Sequence, residues 1–129
     1  IPDSLKGIAT PSILIVDDEM PVAKSIQRVA RRAGYESYIA TGGFQAGIML
    51  SQYEPKVMTL DLSMPGMDGY SVIEFTRDQS KYKDLKIVVI SALDEISLER
   101  ALEIGADATL QKPFSNHDLT MVLEQFMSM

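Results

Sequence analysis

Short apolar runs alternate along the chain with longer segments whose apolar residues recur at helical spacing, a pattern that predicts βα units built around a parallel sheet. Five such units can be read. Ile13 to Val16 is a continuous apolar run suited to a strand buried on both faces, and it stops abruptly at Asp17, Asp18 and Glu19. Pro21 marks the start of the first helix and Gly34 its end, with Val22, Ile26, Val29, Ala30 and Ala33 on the inner face. Tyr35 to Ala40 reads as the second strand. After Gly42 and Gly43 a second helix carries Phe44, Ile48 and Met49 inward and ends near Tyr53 and Pro55.

Val57 to Leu60 is the third strand, closed by Asp61 and followed by the turn-rich segment Met64-Pro65-Gly66-Met67-Asp68-Gly69. The third helix carries Val72, Ile73 and Phe75. Ile87 to Ile90 is the fourth strand, and Leu98, Ala101, Leu102 and Ile104 line a fourth helix that Gly105 ends. Ala108 to Leu110 form a short fifth strand. Ser115 and Asp118 make a capping pair for the last helix, whose buried stripe is Leu119, Val122, Leu123 and Phe126. Met49, Met121 and Met127 read as core fillers.

These elements predict a flavodoxin-like, doubly wound α/β fold with five parallel strands in the order 2-1-3-4-5 and five helices. The domain occupies 12–129. The opening stretch, residues 1–11, carries Pro2, Gly7 and Pro11 without periodicity and reads as a linker or N-terminal extension of a longer protein.

Composition narrows the choice. With 46% hydrophobic and 23% charged residues the chain can close a core, so it belongs with ordinary globular proteins and not with disordered ones. It has no cysteine, which removes disulfides, thiolate catalysis and Cys-based zinc sites and fits a cytoplasmic location. The net charge of -6, without a dense Lys or Arg stretch, argues against nucleic-acid contact. No apolar run is long enough for a membrane span.

The polar residues that break the apolar pattern fall at one kind of place, the carboxyl ends of the predicted strands: Asp17 and Asp18, Asp61, Ser91 and Lys112. In a sheet of order 2-1-3-4-5 the ligand crevice lies between strands one and three, so the acidic residues should converge there. Carboxylates so grouped repel one another unless a cation sits among them, and a small set of hard oxygen donors favours Mg²⁺. Each residue alone has an ordinary explanation: the carboxylates as turn or cap residues, Ser91 as a cap for the fourth helix, Lys112 as a surface cation. His117, the single histidine, reads as a solvated residue of the last helix.

Taken together, Asp17-Asp18, Asp61 with Met64-Pro65-Gly66-Met67-Asp68-Gly69, Ser91-Ala92 and Lys112-Pro113-Phe114 resemble the receiver domains of two-component response regulators over residues 12 to 127. The resemblance implies that Asp61 is the phosphoacceptor. It implies that Asp18, Asp61 and the Ser63 carbonyl bind Mg²⁺ directly, that Asp17 helps through a water, and that Ser91 and Lys112 contact phosphoryl oxygens. The implied partners are a sensor histidine kinase or phosphotransfer protein, an output domain or downstream protein, and a second copy through the fourth helix, fifth strand and fifth helix. Such a domain would catalyse its own phosphorylation and dephosphorylation without turning over a diffusing substrate in the ordinary sense.

Other classes fit less well. Asp17-Asp18-Glu19 would repel the phosphate of a flavin cofactor. A calcium loop starting at Asp61 meets Val72 where a bidentate Glu is needed, and a phosphatase would want a second acid where Ser63 stands. The remaining alternative is a receiver-like interaction module that works without phosphorylation, which should lack one of the Asp or Lys residues. Two positions depart from the usual receiver pattern. Ser63 stands where many receivers carry Asn or another residue that influences acyl-phosphate lifetime, and Thr109 stands where many carry a switching aromatic.

Overall fold

The computed structural model describes residues 10–128. In chain order the elements are β1 (Ser12–Val16), α1 (Met20–Arg32), β2 (Glu36–Ala40), α2 (Gly43–Tyr53), β3 (Val57–Leu60), α3 (Gly69–Arg77), β4 (Lys86–Ser91), α4 (Glu95–Glu103), β5 (Ala108–Gln111) and α5 (Asn116–Met127). A short 3₁₀ turn, Ser80–Tyr82, precedes β4. The five strands are parallel in the order β2-β1-β3-β4-β5, as the alternation of runs predicts. Of the stretch read as a linker, residues 1–9 lie outside the described residues; the Pro11 carbonyl accepts from the Glu36 N–H at 2.9 Å.

Helices cover both faces of the sheet, which is why β1, β3 and β4 are buried at successive positions and almost wholly apolar there. Side chains alternate across a strand, so Ile13 and Ile15 pack with Ile26 and Ala30 of α1 and Leu119 and Leu123 of α5. Leu14 and Val16 face the other way, into the layer with Leu50 of α2, Ile73 of α3 and Leu98 of α4.

The turn out of α1 illustrates how sequence becomes geometry. Gly34 takes φ +101°, a left-handed conformation that suits glycine, and lets the Tyr35 N–H reach back to the Ala30 carbonyl at 3.0 Å. Tyr35 is therefore a buried turn residue and not the first residue of β2. Its hydroxyl donates to the Leu123 carbonyl at 2.6 Å, tying α5 to this turn. Burial pushes its pKa up from 10.0 to about 12. A raised phenol pKa stabilises the fold fully below 10 and loses that contribution as pH rises toward 12, because the unfolded chain ionises first. Tyr35→Phe should cost about 1 kcal/mol at neutral pH, the net worth of the hydrogen bond. It should also show a shallower alkaline loss of stability than wild type; parallel denaturation curves at pH 8 and pH 11 would refute the assignment.

Several apolar residues expected to face inward do not. Phe44 and Ile48 are 86% and 51% exposed, because Ala46 and Leu50 form the buried stripe of α2 and the other pair lies two positions out of phase. Phase also places Phe75, Leu102 and Met121 at the surface beside the buried Ile73, Ala101, Leu119 and Leu123. On α3 the inward position is taken by Thr76, whose hydroxyl donates to the Val72 carbonyl at 2.7 Å and so enters the core satisfied.

Arg77, at the end of α3, joins three parts of the chain. Its guanidinium donates to the carbonyls of Gly105 (2.8 Å), Leu85 (2.8 Å) and Tyr82 (3.2 Å) and to the Asp107 carboxylate (2.6 Å). Asp107 in turn accepts from the Ile87 N–H at 2.8 Å. Arg77→Ala should cost about 3 kcal/mol or more, since several acceptors lose a charged donor together. Lys at this position should recover little, lacking the planar fork. An unchanged denaturation midpoint in Arg77→Ala would show these bonds to be replaced by water at no cost.

Candidate active site at the carboxyl ends of the strands

The backbone ladder continues one residue past three strands: the Asp17 N–H donates to Ala40, that of Asp61 to Val16 and that of Lys112 to Ser91, at 3.1, 3.1 and 2.8 Å. Sheet pairing thus fixes where these side chains start. Asp17, Asp61 and Lys112 stand two residues beyond Ile15, Thr59 and Leu110, and the period of two brings all three together. Lys112 Nζ lies 2.9 Å from Asp17 Oδ2 and 3.0 Å from Asp61 Oδ2.

Both carboxylates are buried, with Asp17 1% and Asp61 3% exposed. Their second oxygens accept backbone N–H groups two residues on, Asp17 Oδ1 from Glu19 at 2.9 Å and Asp61 Oδ1 from Ser63 at 3.0 Å. Each buried acid is thereby oriented by one amide and one shared ammonium. Burial alone would lower the Lys112 pKa; the hydrogen bonds and charges of Asp17 and Asp61 outweigh it and hold the amine above its ordinary value.

Asp18 and Glu19 bring two exposed carboxylates to the same place, and one oxygen from each of Asp17, Asp18, Glu19 and Asp61 lies within 4.8 Å of the others. Four carboxylates against one ammonium leave a deficit of positive charge. An all-oxygen donor set in that state fits a hard divalent cation. Glu19 was not among the residues expected at the site, although it continues the acidic run; its carboxylate stands 4.0 Å from Lys112 Nζ. Ser91, fully buried, meets the site through Ser63, their hydroxyl oxygens 3.4 Å apart, and its Oγ accepts from the Leu93 N–H at 3.4 Å. It does not cap α4: Asp94 does, accepting from Ser97 N at 2.8 Å.

An open cleft of about 440 Å³ adjoins Lys112, between Val22 and Ser25 of α1 and Phe114 beyond β5. A larger one, about 660 Å³, lies at the opposite end of the strands among Lys56, Lys81, Tyr82 and Lys86, away from every residue of the site.

The family model for the response regulator receiver domain matches residues 13–124. The chain belongs to that family. A response regulator signal receiver domain from Bermanella marisrubri is 43% identical, with 92% of this chain and 99% of that one covered and a TM-score of 0.85. The receiver domain of a DNA binding response regulator protein from Colwellia psychrerythraea is 26% identical over 92% of this chain and 99% of that one, at a TM-score of 0.87. One from a signal transduction histidine kinase of Syntrophus aciditrophicus is 28% identical over 93% and 91%, at 0.82. Receivers with this fold therefore serve in both regulators and kinases, and the present receiver's likeness to all three leaves its output open.

Proposed function

We propose that this receiver accepts a phosphoryl group on Asp61 from the phosphohistidine of a sensor histidine kinase or phosphotransfer protein, in a Mg²⁺-dependent reaction, and thereby controls an output domain or downstream protein. A carboxylate oxygen of Asp61 attacks phosphorus in line, the bond from phosphorus to the imidazole nitrogen breaks, and the imidazole leaves; later a water attacks the same phosphorus and the carboxylate is restored. The observation that carries this reading is the setting of Asp61, buried, with one oxygen on the Ser63 N–H and the other on Lys112. The amide turns the carboxylate toward the carboxyl end of the sheet, and Lys112 can pass from carboxylate to phosphoryl oxygen because its ammonium is a movable point charge. Ser91 would add a neutral donor.

Asp17, Asp18, Asp61 and the Ser63 carbonyl are the groups that would hold Mg²⁺, which when bound offsets the negative charge brought in by the phosphoryl oxygens. The cleft beside Phe114 gives a phosphodonor room to approach Lys112. A cytoplasmic location, the lack of direct DNA contact and a homodimer through α4, β5 and α5 belong to the same proposal. The dimer is supported by exposed Ile96 and Leu102 on α4 and Met121 on α5, and a sedimentation coefficient that stays that of a monomer with and without phosphorylation would remove it. Among the described residues no helix is long and apolar enough to cross a membrane.

The test is intact-protein mass after incubation with a small phosphodonor. One phosphoryl group should be gained with Mg²⁺ and none with excess chelator. No gain under either condition would leave a phosphorylation-independent interaction module as the reading.

A further inference from the structure

Thr109 is too short to act as a moving ring, and no aromatic residue lies between Leu93 and Pro113. An aromatic ring does reach α4, from the opposite side. Tyr70, in the first turn of α3, donates its hydroxyl to the Ser97 carbonyl of α4 at 2.9 Å, and the Arg100 guanidinium carbon sits 4.5 Å from its ring centroid. One hydrogen bond and one cation–π contact thus tie the start of α3 to the first two turns of α4.

Both ends of this tie are rooted in the phosphorylation site. Asp68 caps α3 by accepting from the Tyr70 N–H at 3.0 Å, and Gly69 lies so close to Leu62 that a Cβ there would come within 2.9 Å of the Leu62 Cα. Leu62 follows Asp61 directly, so Tyr70 is braced on the loop that carries the phosphoacceptor. At the other end, Ser97 is held by Asp94, and the intervening loop returns to Ser91, whose Oγ accepts from Leu93 N. Gln111 of β5 donates to the Leu93 carbonyl at 3.0 Å, so the loop also touches the strand that lacks the ring.

We propose that Tyr70 is a latch that holds α4 against α3 in the unphosphorylated receiver, and that its release is how modification of Asp61 reaches the outer surface. This rests on Asp61 being the phosphoacceptor. A phosphoryl group offers the Ser91 hydroxyl a new charged acceptor. Drawing Ser91 inward pulls residues 92–97 with it, and a Ser97 carbonyl displaced along with them leaves the Tyr70 hydroxyl behind. The latch therefore opposes the modified state, and by linkage any change that removes it must tighten binding of a phosphoryl mimic by the same factor.

The experiment titrates beryllofluoride, with Mg²⁺, into wild type, Tyr70→Phe and Arg100→Gln while amide chemical shifts are followed. Tyr70→Phe keeps the ring and removes the hydrogen bond; it should bind about fivefold more tightly, the equivalent of one net hydrogen bond. Its unliganded amide shifts at residues 91–101 should move part-way toward those of liganded wild type. Arg100→Gln should act in the same direction. Tighter binding with such shifts supports the latch. Unchanged affinity with silent α4 amides, or weaker binding by Tyr70→Phe, overturns it while leaving Asp61 as acceptor. Wild type that fails to bind beryllofluoride at all, or Asp61→Ala that binds it equally well, overturns the acceptor reading and the latch with it.

Discussion

Asp61→Asn is expected to gain no phosphoryl group from a small phosphodonor and, in Mg²⁺-free buffer, to be more stable than wild type. The loss of reaction is complete because a neutral amide offers phosphorus no carboxylate oxygen. The gain in stability follows from charge. Asp17 and Asp61 are both buried and share one ammonium, with Asp18 and Glu19 close by. Asparagine keeps the shape and can still accept from the Ser63 N–H; its NH₂ group then faces Lys112, which shifts onto Asp17 as a neutral pair. Relief of the like-charge repulsion and of one carboxylate's desolvation should exceed the lost charge-assisted bond, by about 1 kcal/mol. Urea denaturation with an unchanged m-value measures this. A midpoint below wild type would mean that the two acids are held more comfortably than their single counter-charge suggests.

Much of this site was legible in the sequence because each of its buried members ends an apolar run. Ile13 to Val16 and Val57 to Leu60 are recognisable as doubly buried strands, so Asp17 and Asp61 stand out as interruptions at their ends. Parallel pairing then places them side by side. Helix phase was harder to read. The α2 sequence is apolar around much of its circumference, and counting apolar residues could not choose Ala46 and Leu50 over Phe44 and Ile48. Thr76 was hidden for another reason: its hydroxyl is satisfied within the helix, so a residue that reads as polar behaves as core. Arg77 reaches Tyr82 and Leu85 nearby, but its bonds to Gly105 and Asp107, like that of Tyr70 to Ser97, span 27 to 30 residues, and nothing local marks an arginine or a tyrosine that will find such partners. Glu19 is intermediate, since its type announces an acid but its direction is set by the turn into α1.

Lys112→Met should be the most destabilising change at the site. It leaves Asp17 and Asp61 buried without their shared cation, and removing one partner of a buried ion pair typically costs about 3–5 kcal/mol, a large part of the total for a domain whose stability is on the order of 5–15 kcal/mol. Two further results separate this cause from lost packing. Adding Asp61→Asn to Lys112→Met should restore much of the loss, because the two residues are in contact and their effects do not add. The second result is the pH dependence. The Lys112 amine is held above its ordinary value, so the stability it contributes is fully present below the unfolded lysine pKa of about 10.4 and is lost as pH rises through the higher folded value. The difference between wild type and Lys112→Met should therefore shrink only in strongly alkaline solution. Tyr35 titrates in the same range, so both proteins are best compared in a Tyr35→Phe background. A double variant no more stable than Lys112→Met, together with a difference constant to high pH, would assign the whole cost to altered packing of the side chain and not to the lost charge.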